Sequence, residues 1–157
     1  MKLKQIRFFA GILLFLAIGI SCSSQDEVKN VPYKIVIKNM YMGHVQYITT
    51  ITNDSLTVFH DNFGADSSLT TRALKAEEKE MMLKAIHELP LDDLEKNYIN
   101  DAVEDGTQID FIFEIDGETK SVYISNKLQE DLAKFVESVV KLLPSDHIGY
   151  NERVIRY

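Results

Sequence analysis

The sequence contains a single cysteine and lacks tryptophan altogether. A lone cysteine cannot pair within its own chain, so a disulfide-bonded scaffold is excluded. No two of the four histidines have the i, i+4 spacing of a zinc-binding helix, and no glycine-rich phosphate loop is present. We therefore expect neither a cofactor nor a bound metal ion.

Basic residues are scarce relative to acidic ones, with 17 Lys and Arg against 24 Asp and Glu and a net charge of −7. Three of the basic residues, Lys2, Lys4 and Arg7, lie close to the start. Residues 1–21 hold no acidic residue, so the chain without them carries a net charge of −10. Such a chain repels phosphate backbones and anionic headgroups, and we expect no nucleic-acid partner.

Long apolar runs are also missing, apart from one near the start. The run Phe8–Ile20 is shorter than the roughly 20 residues that a membrane-spanning helix needs. A basic start, an apolar stretch of this length and small residues after it are typical of a signal peptide. Because the run ends at Ser21-Cys22, the segment resembles the signal peptide of a bacterial lipoprotein. The resemblance implies that residues 1–21 are removed and that Cys22 becomes the N-terminus, acylated with chains such as palmitate.

Acylation of Cys22 would explain why an exported protein carries one unpaired thiol. Two or more acyl chains anchor a protein stably, whereas one chain holds it only marginally. The membrane would then be a partner through this lipid. Two alternatives remain open: an ordinary secreted protein cleaved nearby, and a short N-terminal membrane helix with an incidental cysteine.

Residues 22–31 are polar and acidic, and we expect them to form a flexible tether. The stretch Ser23–Glu27 resembles the acidic export tag of surface lipoproteins of the Bacteroidetes type. Ser23 after the cysteine also resembles lipoproteins that are sorted to an outer membrane. These resemblances imply an outer-membrane lipoprotein, with surface exposure as one option. The alternative is that tethers in general are polar and often acidic.

Residues 32–157 are enough for one domain, and alternating apolar and polar positions in them predict five strands. The alternating segments are Tyr33–Lys38, Val45–Ile51, Ser55–His60, Ile109–Ile115 and Val122–Ile124. Turns are expected near Met42-Gly43-His44, at Asn53-Asp54 and at Asp116-Gly117. The last two pairs tolerate left-handed backbone angles, which tight hairpins require.

Helical periodicity predicts two helices, each stopped by a proline. The first extends from about Leu74 to Leu89, and the second follows an N-cap at Ser125-Asn126 and continues to Leu143. The order βββ-α-ββ-α predicts an α+β fold, in which an antiparallel sheet of about five strands carries both helices on one face. Residues 61–71 and 91–106 are expected to be loops, and residues 148–157 form either a short edge strand or a loose tail.

The sheet face away from the helices is more apolar in this prediction than a solvated face needs to be. It carries Val36, Ile48, Phe59, Ile112 and Tyr123 among charged and hydroxyl residues. Large exposed apolar areas usually have a function, so these five residues are a candidate partner face. Two alternatives remain: the C-terminal segment folds across this face, or its apolar residues are exposed singly, as is common.

Carboxylates are concentrated in residues 91–106, and their oxygen atoms are potential ligands for calcium. The segment Asp101–Gly106 has part of a calcium-loop pattern, but Val103 and Ile112 occupy positions that need oxygen ligands. A solvated acidic loop is the simpler interpretation. No apolar surroundings are expected there that would raise the pKa of one carboxyl for acid catalysis.

Three functions are consistent with these patterns. The first is a membrane-anchored lipoprotein whose domain is a non-catalytic binding or accessory module for a protein or glycan partner. The second is an inhibitor or immunity module against a secreted hydrolase or toxin. The third is a hydrolase that uses the loop carboxylates, which would require a pocket formed by two or more of Asp93, Asp101, Asp105 and His60. No nucleophile and base stand in a recognisable motif, so we favour the first function and expect no catalytic residue.

Overall fold

The computed structural model describes residues 30–61, 67–103 and 106–143. The predicted signal peptide, the predicted lipidation site Cys22 and the C-terminal residues 148–157 all lie outside these residues, as does most of the predicted tether.

The described residues form seven strands and two α-helices. In chain order, the elements are β1 Tyr33–Tyr41, β2 His44–Thr52, β3 Ser55–His60, β4 Ser68–Ala73, α1 Ala76–Glu88, β5 Asn97–Ile99, β6 Thr107–Ile115, β7 Glu118–Ser125 and α2 Glu130–Val140. A single turn of 3₁₀ helix, Leu91–Asp93, follows α1.

The strands form one sheet with the spatial order β4-β3-β2-β1-β6-β7-β5. All neighbours are antiparallel except β5, which pairs with β7 in parallel. The predicted α+β class, with two helices and a mostly antiparallel sheet, is confirmed. The prediction of about five strands is wrong, because β4 and β5 add one strand at each edge of the sheet.

Both missed strands lack the alternation of apolar and polar residues that identified the other five. Strand β4 has the sequence Ser-Leu-Thr-Thr-Arg-Ala and is largely exposed, since nothing among the described residues pairs with its outer edge. Strand β5 has only three residues. An edge strand buries few side chains, so burial leaves a weak signature in its sequence.

Two-residue turns close the three hairpins nearest the centre of the sheet. Asp116 and Gly117 both have positive φ angles, 51° and 88°, which confirms the predicted hairpin turn there. Met42 and Gly43 also have positive φ angles, 49° and 78°. The turn at Asn53-Asp54 is present but is not left-handed.

Side-chain hydrogen bonds fix the Asn53-Asp54 turn instead. The Thr52 hydroxyl accepts hydrogen bonds from the backbone N–H groups of Asp54, at 3.3 Å, and Ser55, at 3.1 Å. Asn53 bonds to the start of β1, since its Oδ1 accepts from the Tyr33 N–H at 2.8 Å. The local polar side chains therefore supply the turn geometry that left-handed angles would otherwise give.

The hydrophobic core lies between the sheet and both helices. The buried sheet residues alternate along the central strands: Tyr33, Ile35, Ile37, Thr49, Ile51, Leu56, Val58, Ile109, Phe111, Phe113, Val122 and Ile124. From α1, Met82 is fully buried, and from α2 the ring of Phe135 packs edge-on against Phe113 with centroids 5.5 Å apart. Both helices thus cover the same face of the sheet, which we call the covered face.

The start of α2 differs from the prediction. Its N-cap is Gln129, whose Oε1 accepts a hydrogen bond from the Leu132 N–H at 2.6 Å. Asn126, which the sequence predicted as part of the N-cap, has a φ of 51° and is buried. Its Nδ2 donates to the carbonyl of Val103 at 3.3 Å, so this amide connects the end of β7 to a loop rather than capping the helix.

One ion pair connects β4 to both helices. Arg72 donates two hydrogen bonds to the carboxylate of Glu78 in α1, at 2.7 and 2.9 Å, and one to the carbonyl of Leu142 just after α2, at 2.9 Å. The hydrogen bonds that Arg72 donates to the Glu78 carboxylate, followed by one from the Lys75 N–H, lower the pKa of Glu78 to about 2. The weakly packed edge strand is therefore attached to the helix layer by a charge-assisted network.

Candidate functional site

The five residues of the candidate partner face all lie on the side of the sheet opposite the helices. We call this side the open face. The strand register places Val36 beside Ile112 and Ile48 beside Phe59, while Tyr123 lies opposite Asp110. All five are half-buried, because same-face neighbours on adjacent strands shield one another. The alternation in the sequence thus assigned residues of five different strands to one face of the sheet.

One row of open-face residues crosses six strands, from β4 to β7. In register order it consists of Leu69, Phe59, Ile48, Lys38, Asp110 and Tyr123. At about 4.8 Å between strands, the row is about 24 Å long. The three residues at its β4 end, Leu69, Phe59 and Ile48, are apolar. The residue at its β7 end is Tyr123.

A second row runs alongside the first, with hydroxyl residues at both ends and apolar residues at its centre. It consists of Thr71, Thr57, Thr50, Val36, Ile112 and Ser121. The hydroxyls of Thr57 and Thr71 lie 3.1 Å apart and share a hydrogen bond. Val36 and Ile112 therefore extend the apolar surface at the centre of the face, and threonines border it toward β4.

The charges on the open face are balanced. Lys34 and Glu114 form an ion pair at 3.0 Å, and Lys38 lies opposite Asp110 in the β1–β6 register. Two positive and two negative residues therefore face the same side of the two central strands. The open face is close to neutral although the chain as a whole has a net charge of −7.

Leu69 belongs to this surface and was missed by the sequence analysis, which placed it in a loop. Its side chain is 69% exposed and lies beside Phe59. The usable signal was the run Leu69-Thr70-Thr71, since threonine favours strands. Leu69 extends the apolar band to the edge of the sheet.

The residues of the hydrolase hypothesis do not share a site. His60 ends β3 and stacks on Tyr47 with ring centroids 4.3 Å apart, whereas the exposed Asp93 and Asp101 flank β5 at the far edge of the sheet. Five strand spacings separate β3 from β5, which is about 24 Å. Asp105 lies outside the described residues.

Residues 30–61, 67–103 and 106–143 contain neither a metal-binding cluster nor a membrane-spanning helix. No group of three or more His, Cys, Asp or Glu side chains there is arranged to hold a metal ion. Neither α1 nor α2, the helices in these ranges, is long and apolar enough to cross a membrane.

Comparison with known proteins identified no relative. No protein-family model, no curated protein and no solved structure matches the chain. Any functional assignment therefore rests on the chain's own residues.

Proposed function

We propose that the chain is a membrane-anchored lipoprotein whose domain is a non-catalytic binding module, and that the open face is its surface for a protein partner. The observation that supports this proposal is the contiguous apolar band on the open face. Leu69, Phe59 and Ile48 occupy adjacent strands in one row, and Val36 and Ile112 lie in the next. Contiguous apolar surface with polar borders is typical of interaction sites.

The composition of the band favours a protein over a glycan. The aromatic residues Phe59 and Tyr123 lie four strand spacings apart, about 19 Å, so they do not form one stacking platform for a sugar ring. Aliphatic side chains fill most of the space between Phe59 and the centre of the sheet. A flat aliphatic surface with paired charges at its centre fits the apolar core of a protein interface.

The neutral charge of the open face argues against the alternative that the domain inhibits a basic toxin or hydrolase. An acidic docking surface would be needed to attract a basic toxin or hydrolase by charge. Lys34 and Lys38 neutralise Glu114 and Asp110 on the open face, so electrostatic attraction of a basic partner would have to act elsewhere. This observation supports an accessory role over inhibition by charge.

The lipid part of the proposal depends on Cys22. An extended tether of residues 22–31 would hold the domain at most about 36 Å from the acyl chains. We expect Cys22→Ala to move the protein from the membrane fraction to the soluble fraction, because the acyl chains are the only anchor in this proposal. Cell fractionation measures the effect. Membrane association at the wild-type level would contradict the lipoprotein assignment.

A site-specific photocrosslinker tests the open face directly. Placed at Ile48 on intact cells, it should form one discrete adduct, whereas the same group at His87, on the exposed side of α1, should form none. Leu69→Asp should abolish the Ile48 adduct, since a charge would enter the apolar band at a position that folding tolerates. An adduct that glycosidase treatment returns to the size of the uncrosslinked chain would show a glycan partner. Equal adducts at Ile48 and His87 would contradict a specific face.

A further inference from the structure

The outer edge of β4 is an open edge of the sheet within the described residues. Five of the six residues of β4 are exposed, and only Arg72 is half-buried. Leu69 is the most exposed large apolar side chain in residues 30–61, 67–103 and 106–143, at 69%. The backbone N–H and C=O groups along such an edge are free to pair with a further strand, from the same chain or from another.

Strand β4 lacks the usual protections of an edge strand. Proteins blunt exposed edges with lysines, prolines, bulges or very short strands. The sequence Ser68–Ala73 contains no lysine and no proline, and its register with β3 is continuous over all six residues. The opposite edge of the sheet is blunted by length, since β5 has only three residues. The edge that needs a cover is therefore that of β4.

The chain leaves α2 beside this strand. Arg72 donates a hydrogen bond to the carbonyl of Leu142, which lies just after α2, at 2.9 Å. The same guanidinium donates two hydrogen bonds to Glu78, so α1 also fixes its position. Arg72 is the penultimate residue of β4. The chain after α2 thus starts near the C-terminal end of β4, which is where an antiparallel neighbour of β4 would begin.

Residues 144–157, which follow the described part of the chain, have the length and composition for this neighbour. A strand that matches the six residues of β4 is about 20 Å long. Residues 144–147 reach up to about 14 Å when extended, and ten residues, 148–157, are left for the strand. Five of these ten are β-branched or aromatic, the types that favour strands: Ile148, Tyr150, Val154, Ile155 and Tyr157.

Charge favours this segment over a second copy of the chain as the occupant of the edge. The charged residues of 148–157 are Glu152, Arg153 and Arg156, a net charge of +1. The chain as a whole has a net charge of −7, so the other residues carry −8. Two acidic copies repel each other, whereas a slightly basic segment is attracted to an acidic domain.

We propose that residues 148–157 supply an eighth strand, which includes Val154 and Ile155 and pairs antiparallel with the outer edge of β4. Alternate side chains of this strand lie on the open face beside Leu69, and the others lie on the opposite side of the sheet beside Thr70. The added strand satisfies the outward backbone groups of β4. The pairing does not depend on the partner that we propose for the open face.

A photocrosslinking amino acid at Leu69 tests the position of the segment in the purified 157-residue chain, held in detergent. We expect an adduct within one chain, which proteolysis and mass spectrometry should place in residues 148–157. The yield should not change on dilution, because both groups belong to one chain. The same amino acid at Ile99, which is 47% exposed on the edge strand β5, is the control and should form no adduct with that segment.

Amide hydrogen exchange tests the pairing itself. Alternate N–H groups of β4 point away from β3, and pairing should slow their exchange. Neighbouring N–H groups of a strand point to opposite sides, so only one of Val154 and Ile155 can donate to β4. Of Val154→Pro and Ile155→Pro, one should therefore accelerate exchange at these β4 amides by about tenfold or more, and the other should do so much less. Exchange in the central strand β1 should stay unchanged and show that the domain is folded.

Three results would overturn the proposal. The first is the absence of a Leu69 adduct within residues 148–157, including the case in which the adduct joins two chains. The second is an adduct with that segment in equal yield from Leu69 and Ile99. The third is exchange at the outward β4 amides that neither proline variant accelerates. The Ile48 crosslink on intact cells is a separate measurement, so the partner face and the eighth strand can fail independently.

Discussion

Ile51 and Ile48 lie on the same strand, β2, but on opposite faces of the sheet. Ile51 is fully buried under the helices, and Ile48 is half-buried on the open face. Two identical side chains three residues apart thus have different surroundings, one sealed by a second layer and the other shielded only by its strand neighbours. The covered face holds the packed core of the domain, and the open face is the surface that we propose for a partner.

The largest expected loss of stability comes from truncating the buried member of these two isoleucines. Ile51→Ala should lower the free energy of unfolding by about 2–5 kcal/mol, because it leaves a cavity in a packed core. Ile48→Ala should lower it by about 1 kcal/mol or less, since the residue remains partly solvated in the parent chain. Denaturant unfolding of both variants measures the difference. Equal losses would show that the open face is sealed as tightly as the covered one.

A smaller difference in stability is expected when the ion pair on the covered side and the ion pair on the open face are each broken. Glu78, on the covered side, is 16% exposed and its pKa is lowered to about 2, first by the hydrogen bonds from Arg72. Glu78→Gln should cost about 1–3 kcal/mol, the usual contribution of hydrogen bonds to a charged group. Lys34→Gln breaks the open-face pair with Glu114, which is about half exposed, and should cost less than about 1 kcal/mol.

The pH dependence of unfolding separates these two pairs further. The pKa of Glu78 is lower in the folded chain than its ordinary value of 4.5. Its contribution to stability is therefore complete above about pH 4.5 and is lost as the pH falls toward 2. Glu78→Gln should flatten the stability profile in this window, whereas Lys34→Gln should leave that part of the profile in place. A profile unchanged by Glu78→Gln would contradict the role of the Arg72 network.

The sequence predicted well what depends on neighbouring residues. Alternation identified five strands and assigned Val36, Ile48, Phe59, Ile112 and Tyr123 to one face, because side-chain direction in a strand has a period of two. The Asp116-Gly117 turn was equally local. These features need no knowledge of which strands pair.

The features that escaped prediction depend on distant contacts or on weak burial. Strand β1 pairs with β6 at sequence separations of 66 (Tyr41 to Thr107) to 82 residues (Tyr33 to Ile115), and no local pattern reveals that partnership. Strand β4 is attached to the helix layer by Arg72, whose hydrogen-bond partners lie in α1 and just after α2. The N-cap at Gln129 was missed because Asn126, a better capping residue by type, is used by Val103.

The same reasons apply to the candidate site. The open face follows from alternation, except for Leu69 on the missed edge strand.

The position of β1 also has a mechanical consequence. The chain enters the sheet at Tyr33, and β1 is bonded along its length to β2 on one side and β6 on the other. Tension applied along β1 from its N-terminal end would load both ladders in shear and divide the force among many hydrogen bonds. An edge strand pulled sideways would open one bond at a time. Entry through the central strand thus suits a domain that is held by its N-terminal side while something pulls on its face.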